Sequence, residues 1–190
     1  MGYRHGFKSE ANATAREIRA ELGLRDLDKL DPWTLAAHLL VPVESLSDFA
    51  RDAPQAVHHF TAVDPGAFSA CTVFDGARRK IVHNDAHLPG RQSSNVTHEL
   101  SHALLHHPPT PALDDRGCRQ WNQDIEDEAQ WLAGALLLTE DAALSIVRQG
   151  VSVSDAAQHF GISDQMVTYR LNVTGARTRV ARARGLRVVS

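Results

Sequence analysis

The chain has 190 residues, an apolar fraction of 43% and a formal net charge of −3. This length suits one domain with at most a small appendage. The slightly negative charge excludes a molecule that attracts nucleic acid over its whole surface. Two cysteines, Cys71 and Cys118, lie far apart and without metal-ligand spacing, which argues for a reducing compartment and against a disulfide framework.

The sequence shows neither a secretion signal nor a membrane span. The first ten residues, MGYRHGFKSE, lack the apolar core of a signal peptide, and no later apolar run is long enough to cross a bilayer. We therefore expect a cytoplasmic protein that makes no use of a membrane.

Helical patterns open the chain. The stretch SEANATAREIRAELGL has helical spacing, with Ser9 or Asn12 as candidate caps and Gly23 near the end. Asp31 followed by Pro32 is typical of a helix N-terminus and predicts a second, short helix. The segment VPVESL after it is predicted to be a short strand.

A hairpin and a histidine-rich helix follow. Residues 68–74 and 80–83 have the pattern of strands, and Asp75-Gly76 between them is a strong turn signal. The segment RQSSNVTHELSHALLHH is predicted to be a helix that stops at Pro108-Pro109.

The C-terminal half is predicted to be all helical. A long apolar-faced region, WNQDIEDEAQWLAGALLLTEDAALSIVRQG, is expected to break near residues 139–141. Two or three short helices follow, with a break at Gly161 and Ser163 as a cap. The elements together predict a mostly helical α+β fold with a small antiparallel sheet or hairpin. We expect residues 1–150 to form the main domain and residues 151–190 a helix-turn-helix-like segment packed on it.

The segment NVTHELSHALLHH carries the clearest chemical signal. His98 and His102 lie one helical turn apart, so both rings leave the same face and can bind one Zn²⁺. Glu99 is offset around the helix and can reach a water on the metal, as the general base of metal-activated hydrolysis does. The alternative interpretation is a surface helix that is merely rich in histidine.

A catalytic zinc needs a third protein ligand and an open position. His106 lies about 12 Å from His98 along the helix, so it cannot share the ion. The extended motif with a glycine and a third histidine fails too, because Leu105 and Pro108 stand at those positions. The third ligand must therefore come from another segment.

The segment DIEDEAQWLAGALLL supplies candidate carboxylates at the start of a helix, where the helix dipole favours them. We predict Glu128 as the third ligand, because the small Ala129 beside it would let the two helices approach closely. Asp124 and Asp127 are candidate outer partners of the ligands. Together with Glu126 they are otherwise interpreted as solvated charges.

These motifs resemble the ImmA/IrrE family of zinc metallopeptidases, of the gluzincin type. The family pattern H-E-x-G-H-x-x-L-H is met by THELSHALLHH, and E-A-x-x-F-A-x-x-L-L-M-P by EDEAQWLAGALLLTEDAAL. The likeness extends over about residues 16–171. It implies a zincin-like domain with one Zn²⁺ ion held by His98, His102 and Glu128, and Glu99 as the catalytic base.

The sequence departs from the family pattern at several positions. Ser101 replaces the usual glycine, Trp131-Leu132-Ala133 the Phe-Ala segment, and Leu138-Thr139 the Met-Pro pair. None of these changes removes a metal ligand or the base, but they leave the substrate preference open.

The implied mechanism needs one more group. Zinc polarises the scissile carbonyl, and Glu99 passes the water proton to the leaving amine. A donor for the oxyanion is also required, and the sequence leaves four candidates open, namely Tyr169, His159, Arg170 and His83.

A substrate can be held through its backbone. An extended peptide adds to an exposed strand edge by main-chain hydrogen bonds. The strand just before the catalytic helix enters at the right place, so we predict that Ile81, Val82, His83 and Asn84 bind the substrate backbone.

The basic C-terminal segment supports a different hypothesis. After Asp164 the sequence contains no acid, while six arginines follow. A DNA reader would present polar and basic side chains on the second helix of such a segment. We favour the simpler interpretation, in which these helices close the core and end in a solvated basic tail.

Two functions follow from these patterns. The first is a zinc endopeptidase that cleaves a specific protein; in the resembled family the targets are often helix-turn-helix repressors, which implies roles in transcription regulation and stress response. The alternative is a DNA- or protein-binding regulator with a structural metal site. Glu99 argues against the alternative, because a structural site has no use for a base beside its ligand.

Overall fold

The computed structural model describes residues 3–76, 78–108 and 122–185. Helix α1 (Phe7–Glu21) begins after Gly6, whose backbone is left-handed with φ 81°. The predicted caps Ser9 and Asn12 are wrong, because both lie inside this helix. Helix α2 (Pro32–His38) begins as predicted: the Asp31 carboxylate accepts a hydrogen bond of 2.9 Å from the backbone N–H of Thr34.

A three-stranded sheet follows, formed by β1 (Val43–Ser45), β2 (Ala70–Asp75) and β3 (Arg78–His83) in the order β1-β3-β2. The antiparallel hairpin of β2 and β3 confirms the predicted turn, with Gly76 at φ 60°. Strand β1 is also where it was predicted, but it pairs with β3 in parallel, so the sheet is mixed.

The prediction that substrate binds at Ile81, Val82, His83 and Asn84 assumed that this strand has an exposed edge. That assumption is wrong. Strand β3 is the central strand, paired with β1 on one side and β2 on the other. All four residues are buried, and the backbone N–H of Asn84 already donates to Ser69. The sequence indicated a hairpin, but the third strand that covers the other edge of β3 comes from a distant segment.

Short helical turns connect β1 to β2, and the sequence patterns did not indicate them. They comprise a 3₁₀ turn Leu46–Phe49, helix α3 (Pro54–His58), a π-helical turn His59–Val63 and a second 3₁₀ turn Pro65–Ala67. The Asn84 amide donates to the carbonyls of Phe60 (2.7 Å) and Phe68 (3.0 Å). This buried side chain therefore fixes the connection and the start of β2.

Three longer helices form the centre of the molecule: α4 (Pro89–Leu104), α5 (Gln123–Leu137) and α6 (Glu140–Gln149). The predicted break before α6 is confirmed, with the Thr139 hydroxyl capping α6 by accepting from the N–H of Ala142 at 3.0 Å. Helix α4 ends well before Pro108, because His106 adopts a left-handed backbone with φ 53°.

Three short helices complete the described chain: α7 (Val153–Phe160), α8 (Asp164–Val173) and α9 (Ala176–Ala183). Gly161 and Ser163 end α7 and cap α8, as predicted. Helix α4 packs tightly on this turn, because a Cβ at Gly90 would lie 2.5 Å from the carbonyl oxygen of Ile162. Helix α8 also packs against α5, and α9 against α6. The division of the chain at residue 150 stays a prediction.

Helix α5 runs through the core, with eight buried residues from Ala129 to Leu137. Two buried arginines satisfy carbonyls at its C-terminal end, which have no partner within the helix. Arg19 donates to Leu136 O at 2.7 Å and Arg170 to Leu138 O at 2.8 Å. Burial lowers the pKa of Arg170 to about 10.

In the described parts of the chain, no single helix is both long and apolar enough to cross a membrane; α5 and α6 meet these two conditions only as a pair bent by 60°.

Candidate metal centre

Helix α4 brings the two histidines of the HExxH motif together. Its inner face is buried through Thr97, Leu100 and Ser101. His98 and His102 lie on a partly exposed flank, where His98 lines a cleft. Their Nε2 atoms lie 3.1 Å apart, and each side chain is about one-fifth exposed (21% and 20%). The pair is thus held by the core while both side chains stay partly accessible.

The carboxylate that meets this pair is Glu126, not the predicted Glu128. Glu126 Oε2 lies 3.1 Å from His98 Nε2 and 3.7 Å from His102 Nε2. In the described residues these are the His, Cys, Asp or Glu side chains whose ligand atoms converge, all within 4.8 Å of one another. Glu128 instead faces His107, with Oε2 at 3.3 Å from Nε2.

The reason lies in helix geometry. Glu126 and Glu128 are two positions apart, which turns them about 160° away from each other around the helix axis. Both positions flank the buried stripe of α5 that contains Ala129 and Leu132. Periodicity in the sequence locates that stripe, but it does not say on which side of it α4 packs.

The carboxylate of Glu126 is strongly stabilised in its ionised form. Burial raises its pKa, but hydrogen bonds from His102 and His98 outweigh burial and hold the pKa well below its ordinary value. A carboxylate that stays charged in a half-buried site between two imidazoles is suited to a cation.

The geometry of the three side chains fits a zinc ion. Ligands about 2.0–2.1 Å from one tetrahedral ion lie about 3.3–3.4 Å from each other. The three separations here are 3.1, 3.1 and 3.7 Å. Two imidazoles and one carboxylate are also the donor set of many hydrolytic zinc sites, in which the remaining position is left for water. The residues present therefore fit the metal.

Glu99 lies beside this group and lines the same cleft. The Thr72 hydroxyl on β2 donates a 2.7 Å hydrogen bond to Glu99 Oε2. Because a hydrogen bond fixes only one carboxylate oxygen, the other can face a water held by the histidine pair. Thr72 could not be singled out from the sequence, since it is one of several polar residues in an edge strand.

A second histidine contact lies behind His102. The Nδ1 atoms of His102 and His107 are 2.9 Å apart, and the two rings meet edge to face with centroids at 5.0 Å. Burial lowers the pKa of His107, against the opposing effect of a hydrogen bond with Glu128. The sequence patterns assigned no role to His107.

The cleft above the histidines has a volume of about 600 Å³. One wall is the N-terminal half of α4, a second is the start of β2, and a third is α8. The polar and apolar side chains that line these walls include Ser69, Arg91, Asn95, Gln165, Met166 and Tyr169. A cleft of this shape can hold an extended chain across the metal group.

The four candidate oxyanion donors differ in burial and in what they contact. Tyr169 borders the cleft, but its hydroxyl is buried on the side of Tyr3, and burial raises its pKa. Arg170 is buried against Leu138 O, and His159 borders a different cavity. His83 is buried beside Ser45. Only Tyr169 among the four therefore lines the cleft that His98, Glu99 and Glu126 also line.

Comparison with known proteins supports the metal-centre interpretation. The sequence model of the peptidase family M78, described as the IrrE N-terminal-like domain, matches residues 49–172. This span contains the HExxH helix, both candidate glutamates and all but the last residue of helix α8. Neither the curated proteins nor the solved structures contain a significant match to the chain. The chain therefore belongs to the M78 peptidase family, and its His98–His102–Glu126 group can bind the metal that such a metallopeptidase implies.

Proposed function

We propose that this protein is a zinc-dependent endopeptidase that hydrolyses a peptide bond in a specific protein. The observation that carries the proposal is the convergence of His98, His102 and Glu126 on one point, beside an open cleft that His98 and Glu126 line. Glu99 stands next to that point with one oxygen held by Thr72. Two imidazoles, a carboxylate ligand and an adjacent free carboxylate are the parts of a hydrolytic site, whereas a structural site would be closed by a fourth ligand.

Each residue has a distinct part in the reaction. Zinc, when bound, polarises the scissile carbonyl and lowers the pKa of its water. His98, His102 and Glu126 would hold that ion. Glu99 accepts the proton of the attacking water and delivers it to the amine that leaves. Thr72 keeps the Glu99 carboxylate turned toward the cleft while this transfer takes place.

The substrate backbone is proposed to bind at the outer edge of β2. Ser69 O accepts from Asn84 N–H, so in the observed register the main-chain groups of Cys71 and Val73 also point toward β3. Those of Ala70 and Thr72 then point away from the sheet. Ala70 lines the cleft, so an added peptide strand would run past the catalytic group.

The target is proposed to be a protein rather than a short peptide, with a helix-turn-helix repressor as the leading candidate. This rests on the family resemblance, which also implies a cytoplasmic place of action. An open reading frame for a repressor next to this gene would nominate the substrate directly.

The alternative, a DNA-binding regulator with a structural metal, is less well supported. The exposed face of α8 consists of Asp164, Gln165, Thr168 and Asn172 and lacks a cation. Its arginine, Arg170, is buried. Exposed arginines lie on α9 instead, where Arg179 pairs with Glu140. A mobility-shift assay at moderate salt with a chain truncated after Gly175 would detect any contact of that helix with DNA.

The decisive experiment is the substitution Glu99→Gln, assayed on the candidate repressor. We expect it to bind one zinc per chain and to unfold at the same temperature as the wild type, while cleavage falls by about 10²–10⁴-fold. Glu17→Gln is a matched control, because Glu17 is an exposed glutamate on α1. Cleavage by Glu99→Gln at the wild-type rate, or a purified protein that binds no divalent metal, would refute the proposal.

A further inference from the structure

We infer that His107 and Glu128 form a hydrogen-bonded relay that orients His102 toward the metal. The inference deepens the proposed function and rests on it. Neither residue is among the three converging ligands, yet His107 contacts the Nδ1 side of His102, and Glu128 in turn contacts His107. We call the set His102, His107 and Glu128 the histidine relay.

The backbone places His107 under His102 by a specific helix ending. After the C-cap Leu105, His106 takes a left-handed conformation with φ 53°. The N–H of His107 then donates to His102 O at 3.0 Å, and the N–H of His106 to Ala103 O at 3.2 Å. This pair of bonds defines a Schellman motif, in which the residues at the positions of His107 and His102 contact each other.

The hydrogen bonds determine the tautomers along the relay. His102 directs Nε2 toward His98 and Glu126, so its proton belongs on Nδ1 when Nε2 binds the metal. That N–H can donate to His107 Nδ1, 2.9 Å away. The proton of His107 is then on Nε2 and donates to Glu128 Oε2 at 3.3 Å. Every donor has one acceptor, and the relay ends on a carboxylate.

The side chains of His107 and Glu128 are largely shielded from water. The side chain of His107 is 9% exposed and that of Glu128 is 16% exposed. Beyond Glu128, the Arg4 Nε lies 3.5 Å from the other carboxylate oxygen. A partly buried carboxylate with these two neighbours stays in place, so the orientation of His107, and through it that of His102, is fixed before the metal binds.

The expected consequence is tighter metal binding. A histidine ligand whose second nitrogen donates to a fixed acceptor is restricted to the productive ring orientation and is more basic. Loss of such an outer partner typically lowers metal affinity about 10–100-fold. His107 is therefore a positioning residue, which acts on the metal only through His102.

The test measures zinc affinity by competition with a chromophoric chelator, and the visible absorption of the Co²⁺-substituted protein. His107→Phe keeps a ring of similar volume but removes the acceptor for His102. His107→Gln restores one acceptor and one donor. His106→Gly is the matched control, because His106 is the neighbouring, exposed histidine and glycine favours its left-handed backbone.

We expect zinc affinity to fall about 10–100-fold in His107→Phe, to recover in part in His107→Gln, and to stay at the wild-type value in His106→Gly. The Co²⁺ absorption bands should shift in His107→Phe, while the unfolding temperature of the metal-free protein stays near that of the wild type. Wild-type affinity and an unchanged Co²⁺ spectrum in His107→Phe would overturn the relay alone. A wild-type protein that binds neither ion would overturn the proposed function together with the relay.

Discussion

Two glutamates on one helical turn have different partners, and this difference carries the main residue-scale prediction. Glu126 meets His98 and His102, whereas Glu128 meets His107 and Arg4. Loss of an outer partner lowers zinc affinity about 10–100-fold. If Glu126 is the ligand, Glu126→Gln should lower zinc affinity by a larger factor than this. Glu128→Gln keeps an acceptor for His107 and should lose at most about that much.

Equilibrium zinc titration of both variants compares the two assignments directly, because the substitutions are chemically identical and lie two positions apart. Circular dichroism of the metal-free proteins checks that both remain folded. The reverse order of affinities would restore Glu128, the residue matched by the family motif, as the third ligand.

At the residue scale, the sequence predicted the histidine pair and the base but could not identify the third ligand, for a physical reason. Spacing alone put His98 and His102 on one face with Glu99 beside them, because the period of a helix is fixed. Choosing between Glu126 and Glu128 needs the direction from which α4 approaches α5. That direction depends on tertiary packing, as does the approach of Thr72 from a different element.

At the element scale, the edge strand β2 carries a prediction about substrate binding. Ala70→Pro removes a main-chain N–H that points away from β3, and Val73→Pro removes one that points toward β3. We expect Ala70→Pro to lower kcat/KM roughly 3- to 10-fold, the contribution of one hydrogen bond, with little change in unfolding temperature.

Val73→Pro is the contrasting control, since it breaks the ladder between β2 and β3 and should lower the unfolding temperature. Differential scanning calorimetry and cleavage of the same protein substrate give both readouts. Full activity in Ala70→Pro would remove the outer edge of β2 as the place where substrate binds.

Local signals predicted most elements but not their arrangement. The Asp31-Pro32 start of α2, the turn before β3 and the Ser163 cap of α8 all follow from chemistry within a few residues. The parallel pairing of β1 with β3 joins residues about 38 positions apart. It decides which strand edge is open, and nothing in either strand alone indicates it.

At the scale of the whole molecule, the α+β class and the helical C-terminal part could be predicted, because they depend only on the order of the elements. The role of the C-terminal helices could not. A helix-turn-helix-like sequence pattern is compatible with helices that bind DNA and also with helices that form the wall of a cleft. The difference lies in which face of α8 is buried, and here Met166 and Arg170 are turned inward.

The burial of His83 in the central strand predicts how the stability of the whole fold depends on pH. Its side chain is 4% exposed, Nδ1 has no hydrogen-bond partner, and the ring packs against Trp33. Burial lowers the pKa of His83, and the carboxylates of Asp85 and Asp48 only partly oppose this, while His87 adds to it. The unfolded chain then binds a proton at His83 at a higher pH than the folded chain does.

The free energy of unfolding should therefore fall as pH drops below about 6.5, the ordinary histidine pKa, and continue to fall until the lowered pKa of the folded state is reached. One such proton contributes a slope of at most about 1.4 kcal/mol per pH unit. His83→Gln stays neutral and keeps an acceptor for Ser45, so its unfolding free energy should depend less on pH across this window. Urea unfolding of the metal-free wild type and His83→Gln between about pH 7.5 and pH 5, the range in which histidine titrates, measures the difference. Parallel curves would show that His83 is as easily protonated in the folded sheet as in the unfolded chain.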